Sequence, residues 1–169
     1  MMMNTMTAGY DQSTWESFAV AEVGAAAALA GLLVVACSIN IREILQLPPV
    51  VSRLAGSLSL FTGVLMAGTV LLVPAQDHRL AGGELAVAGL VVAGVVLRHH
   101  GVHRDRPEYR RHALGIAVLT VTAPLLITTA GVCYAVRVGG GLYWLFPGIL
   151  LAFAVGLFNA WVALVEILR

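Results

Sequence analysis

Arg98 to His112, RHHGVHRDRPEYRRH, holds half of the ten basic residues and four of the five histidines of the chain. Histidines at this density could ligate a metal through neutral ring nitrogens. The stretch offers no cysteine ligand, and its arginines repel a cation, so no dedicated metal site is expected. A nucleic-acid grip needs a wider basic surface with stacking rings, and Tyr109 is the only aromatic here. The simpler expectation is a solvated cationic loop. In it Arg98, Arg104, Arg106, Arg110 and Arg111 touch anionic phospholipid head groups, each contributing about 1 kcal/mol.

Four other residues could do chemistry because they lie in or beside apolar stretches: Glu22, Glu84, Asn159 and Glu166. Ionisable groups at membrane depth raise the idea of proton or cation coupling. Glu22 and Glu84 are expected in the first turns of their helices, where a carboxylate meets the positive helix end. Glu166 falls in a last turn, where the helix dipole disfavours an anion. It should therefore recruit an arginine, with Arg169, Arg98 or Arg42 at a similar depth. Asn159 flanks a row of small residues and is expected to face a neighbouring helix, as an interhelical hydrogen-bonding group or as a pore or substrate contact. Enzyme signatures are missing: no phosphate-binding glycine loop with Lys, no HExxH and no nucleophile elbow. Ser57 and Ser59 have no histidine within the membrane to act as base. The chain is expected not to be an enzyme and to need no cofactor.

The elements that must position these residues follow from composition. The chain has 169 residues, 59% of them hydrophobic and only 11% charged, against about 25% charged in a soluble domain. Mean hydropathy is +0.89. Net charge is +1, which gives no global attraction to nucleic acid. Several apolar stretches approach the ~20 residues that cross ~30 Å of hydrocarbon. The fold class is therefore all-α, an integral membrane helical bundle with five transmembrane helices. The spans are expected at about 18–40, 54–73, 80–97, 113–136 and 142–168. They form a single domain over 18–169, preceded by an extracytoplasmic segment at 1–17 that lacks the basic start of a secretory signal. No stretch alternates with strand period, so a barrel is not expected.

Charge orients the bundle. With five crossings, loops 41–53 and 98–112 and the C-terminus share one side. That side holds Arg42, Arg53, Arg98, Arg104, Arg106, Arg110, Arg111 and Arg169, and the other only Arg79 and Arg137. Arginine concentrates in short cytoplasmic loops, which predicts the N-terminus outside and the C-terminus inside. Tyr10, Trp15, Phe18, Tyr134, Tyr143, Trp144 and Phe146 then form an outer aromatic belt. Between the first two spans, REILQLPPVVS is expected to lie at the interface: Ile44, Leu45 and Leu47 dip in, Arg42, Glu43 and Gln46 stay wet, and Pro48 and Pro49 end the helix. Cys37 and Cys133 fall at opposite membrane faces, too far apart for a disulfide.

Lipid gives apolar helices no hydrophobic reason to associate, so close contact between small residues must hold the bundle. The sequence offers four such rows: Gly24, Ala28 and Gly31; Gly56, Ser59, Gly63 and Ala67; Gly82, Ala86, Gly89 and Ala93; Gly148, Ala152, Gly156 and Ala160. They serve packing within the chain, self-association, or both. Pro124 should kink the fourth span, with Thr120 satisfying the freed carbonyl.

From Val23 to Gly56, VGAAAALAGLLVVACSINIREILQLPPVVSRLAG, a small-residue span ends in SIN and is followed by an amphipathic turn and LP. This stretch, about a fifth of the chain, resembles an uncharacterised family of small multi-pass inner-membrane proteins from high-GC bacteria. Some relatives are labelled modulators of an FtsH-type protease. The resemblance implies a bacterial cytoplasmic (inner) membrane location, and the all-Arg basic residues fit a GC-rich bacterial source. Two functions are expected from the residues: a non-enzymatic structural or regulatory partner, self-associating or bound to another membrane protein, or a small channel or transporter. The second would use the intramembrane polar residues and the Thr-rich fourth span, with Thr120, Thr122, Thr128 and Thr129.

Overall fold

A computed structural model describes residues 8–101 and 110–167. Those residues are 90% helical, with no strand among them. The helices are α1 (Glu16–Ile39), α2 (Ile41–Gln46), α3 (Pro48–Leu71), α4 (His78–Gly101), α5 (Arg110–Val136) and α6 (Leu145–Ile167). Single 3-10 turns, Gln12–Trp15 and Gly141–Trp144, lead into α1 and α6. All but α2 are long and apolar enough to cross a membrane. A helix of 24 residues, such as α1, is about 36 Å long at 1.5 Å per residue, more than the ~30 Å of a hydrocarbon core.

Helix is the expected outcome for these sequences because lipid satisfies no backbone hydrogen bond. The hydroxyls inside the spans follow the same rule. Ser59, Thr62, Thr69, Thr120, Thr122, Thr128 and Thr129 each donate to the carbonyl four residues earlier in their own helix. Thr120 goes to Ile116 rather than to a carbonyl freed by Pro124, whose own carbonyl accepts from Thr128.

The second span starts earlier than expected. Pro48 and Pro49 open α3, and the preceding α2 ends just before them at Gln46, as expected. A proline in a first helical turn loses no hydrogen bond, and its fixed φ already suits a helix. The short α2 departs from expectation at Ile44, which meets protein rather than lipid. Ile44 is buried in the bundle, while Leu45 and Leu47 point outward.

At the centre lies α3. It packs on α1, α4 and α6, and α5 closes the ring between α4 and α6. Peripheral α1 has 17% of its apolar window buried, against 56% for α3. One apolar cluster fills the half of the bundle nearer the N-terminus, around Leu60, Val64, Leu85, Ile127, Leu142 and Leu145. A second fills the other half, around Leu33, Ile44, Leu54, Phe61, Ala160 and Ala163.

Three of the four small-residue rows are spent inside the chain. A Cβ on Gly82 or Gly131 would collide with backbone of the partner helix, so α4 and α5 touch main chain to main chain. Gly63 receives Val92, and Gly156 receives the ring of Phe61. The row on α1 differs: Gly24, Ala28 and the position of Gly31 are exposed, with open space beside both glycines.

Candidate functional site

The polar residues singled out from the sequence do not converge. Glu22 lies half-buried in the second turn of α1 and forms no hydrogen bond or ion pair among the described residues. Glu84 is exposed in the second turn of α4, where its carboxylate accepts from Gln76 Nε2 at 2.8 Å. Both therefore sit beyond the first turn, where the helix-end field is strongest. The first-turn role on α1 belongs to Glu16. On α4 the capping carboxylate is Asp77, whose Oδ1 accepts from Arg79 N at 2.8 Å. That backbone hydrogen bond holds the Asp77 carboxyl below the usual aspartate range, helped by Leu80 N and by the charges of His78 and Arg79.

Glu166 is paired, as its position at a helix C-terminus demands, but with Arg53 of α3 rather than with Arg42 or Arg98. Arg169 lies outside the described residues. Adjacency decides the pairing: α3 and α6 pack side by side, and Arg53 is the arginine they bring to the same level. Asn159 is buried on the face of α6 that carries Gly156, Ala160 and Ala163, as the small-residue row implied. Its amide makes no hydrogen bond among the described residues. The buried polar tie between α3 and α6 comes instead from Ser57, whose hydroxyl donates to Gly156 O at 2.8 Å. Of the five arginines expected at head groups, Arg98 is exposed at the end of α4. Arg104 and Arg106 lie outside the described residues, as do the side chains of Arg110 and Arg111. No group of three His, Cys, Asp or Glu side chains converges among the described residues.

The polar assembly that the fold does build lies at the opposite end, where the N-terminal segment is latched down. Gly9 O accepts from Leu142 N at 2.8 Å, and Tyr10 Oη accepts from Gly140 N at 2.9 Å. Gly141 must be glycine: its φ is +58°, and a Cβ there would strike the Gly9 carbonyl. Gln12 is the central group. Its Nε2 donates to Leu71 O at 2.8 Å and Val73 O at 3.1 Å, satisfying carbonyls that the end of α3 leaves open. The Tyr134 hydroxyl donates to Gln12 Oε1 at 3.4 Å. One amide thus joins the N-terminal segment, α3 and α5.

Around this amide opens a crevice of about 520 Å³, its charged wall residues being Glu16, Asp77, His78 and Arg137. His78 Nδ1 stands 3.6 Å from Asp77 Oδ2. Neither Glu16 nor Arg137 has a side-chain partner among the described residues. The crevice also contains Ala75 and Arg137, at φ +54° and +55° the non-glycine residues with positive φ among those described. Arg137 terminates α5: Val138 N bonds back to Cys133 O and Arg137 N to Tyr134 O. That is the left-handed helix stop usually given to glycine, and a side chain there costs about 1 kcal/mol. Beyond the 3-10 turn an aromatic face continues. Trp15 meets Phe18 and Tyr143 edge-on at centroid distances of 5.6 and 5.3 Å.

Sequence reasoning placed the aromatic belt at this end but missed the crevice. Its signal was the polar run QDH at 76–78, close after an apolar span, together with the polar N-terminal segment. No family model, curated protein or solved structure matches the chain.

Proposed function

We propose that this protein is a non-enzymatic membrane component, a structural or regulatory partner that works through its helix faces. The observation that carries the reading is the dispersal of the polar residues. Glu22, Glu84, Asn159 and Glu166 sit on separate parts of the bundle, and the threonine hydroxyls of α5 are bonded within their own helix. A pathway for ions needs polar groups in line; here the space between helices is filled by apolar side chains. Peripheral α1 supplies the face for association, with Gly24, Ala28 and Gly31 open to a second copy or another membrane protein. The resemblance over Val23–Gly56, which spans this face, points to a modulator in a bacterial inner membrane. The arginine distribution supports an N-terminus outside, a C-terminus inside and contact of the basic end with anionic lipid.

Liposomes containing purified protein test the reading against the channel or transporter alternative. The expected result is no ion flux above protein-free vesicles. Sustained flux that disappears on Asn159→Leu would replace the scaffold with a transporter.

A further inference from the structure

We propose that the crevice between the N-terminal 3-10 turn, the α3–α4 connection and the end of α5 binds a zwitterionic phospholipid headgroup of the phosphoethanolamine type. Unspent charge lines the crevice. Arg137 and Glu16 line the same crevice, yet neither side chain forms an ion pair with the other or with any described residue. Asp77 and His78 add an anion and an imidazole to the wall. A site with uncancelled charges of both signs suits a ligand that carries both. The guanidinium takes the phosphate with its planar fork of donors, and the carboxylates take an ammonium.

Position selects a lipid. The crevice lies at the ends of α3, α4 and α5, beside Trp15, which precedes the lining residue Glu16 and meets Tyr143 edge-on, and aromatic rings of this kind mark the depth of head groups in a bilayer. Its volume, about 520 Å³, falls within the ~300–1,000 Å³ of small-ligand sites. The donor count selects the amine. A primary ammonium has three N–H donors for the Glu16 and Asp77 carboxylates, whereas a trimethylammonium has none. A glycerol headgroup has no cation, and its phosphate would meet the two carboxylates.

Backbone conformation supplies a separate argument. Arg137 occupies a helix-stop position where glycine would be free of strain, and Ala75 repeats that strain on the same wall. Outliers gathered at one crevice are expected where the surroundings hold a binding geometry. Exchanging Arg137 for glycine therefore separates binding from folding.

Native mass spectrometry of the full chain in detergent provides the test, with phosphatidylethanolamine, phosphatidylcholine and phosphatidylglycerol of one chain composition offered at equal mole fraction. Ethanolamine-lipid adducts should exceed the other two by roughly tenfold, the weight of one charge-assisted contact. Arg137→Gly and Glu16→Gln should each bring them down to the choline-lipid level, while the melting temperature of Arg137→Gly stays at or above that of the parent. Equal retention of the three lipids, or ethanolamine-lipid binding unchanged in both variants, would overturn the proposal. Soluble phosphoethanolamine binding at micromolar concentration, with no preference among the lipids, would transfer the site from a lipid to a free zwitterion and overturn the lipid assignment.

Discussion

Arg53 and Glu166 are each close to half-exposed, at 43% and 44% of side-chain area, and this sets what their ion pair contributes. A pair so open to solvent or head groups is worth about 0–1 kcal/mol. In a double-mutant cycle with Arg53→Ala and Glu166→Gln, chemical unfolding should return a coupling below about 1 kcal/mol that shrinks with added salt. A coupling of several kcal/mol would mean that the pair is sealed by something outside the chain. The need for a cationic partner was legible in the sequence from the last-turn position of Glu166. Which arginine answered was not, because that depends on α3 and α6 being neighbours. Asp77 makes the second residue-scale case. Its carboxyl titrates below the ordinary aspartate value because Arg79 N bonds the ionised form. A lowered folded-state value means the contribution is complete above the unfolded value, near pH 4, and is lost as pH falls through the folded one. Asp77→Ala should lower the melting temperature at pH 7 by about 2–4 °C, the range for loss of one helix cap in a chain of this size. Parent and variant should draw together as the melt is repeated at progressively lower pH and Asp77 becomes protonated in the folded state. A gap that persists at acid pH would assign the loss to packing.

The glycine rows divide by helix, and their substitutions should divide in the same way. On Gly131 a Cβ would lie 2.5 Å from both Ala86 N and Gly82 O, atoms that can move only if the α4–α5 crossing opens. Gly131→Ala should cost about 1–3 kcal/mol in chemical unfolding, as overpacking does. Gly24 meets nothing within 4 Å, so Gly24→Ala should leave the stability of the single chain unchanged or slightly raised. A bulkier Gly24→Leu should weaken any self-association seen by cross-linking in vesicles. Equal losses of stability at both sites would contradict the exposed placement of the α1 row. Sequence spacing located all four rows, because a four-residue period places small residues on one face of any helix. It could not say which rows were occupied, since occupancy depends on which helices adjoin. Helix boundaries show the same limit. Apolar composition found five spans, and Pro48 and Pro49 marked the end of α2, but not that α3 begins at them, because a proline is compatible with both a helix boundary and a first turn. Only the backbone distinguishes the two.

Across the whole molecule, polar chemistry has been moved from the interior to the ends. One end has Arg53 with Glu166 and the exposed Arg42 and Arg98; the other has Gln12, Asp77, His78 and Arg137 around the crevice. The interior between them is mostly apolar: the threonine hydroxyls fold back onto their own helices, and Asn159 and Ser57, whose hydroxyl reaches Gly156 O, are its buried polar exceptions among the described residues. The crevice was hidden from sequence because its parts come from positions 12–16, 71–78 and 134–137, which no local pattern joins. The placement of these ends relative to the membrane that we propose rests on arginine, since positively charged loops resist translocation. That placement is tested directly in a variant with Cys37 and Cys133 replaced by alanine and one new cysteine added at an exposed position. Ser13→Cys, beside the crevice, should react with a membrane-impermeant maleimide added to intact cells or spheroplasts. Gln46→Cys, at the end of α2, should react only after the membrane is permeabilised. The opposite pattern would invert the bundle and remove the head-group role of the basic end. Labelling of both positions in intact cells would be incompatible with an odd number of crossings between the ends of the chain, because Ser13 and Gln46 are separated by the single span α1.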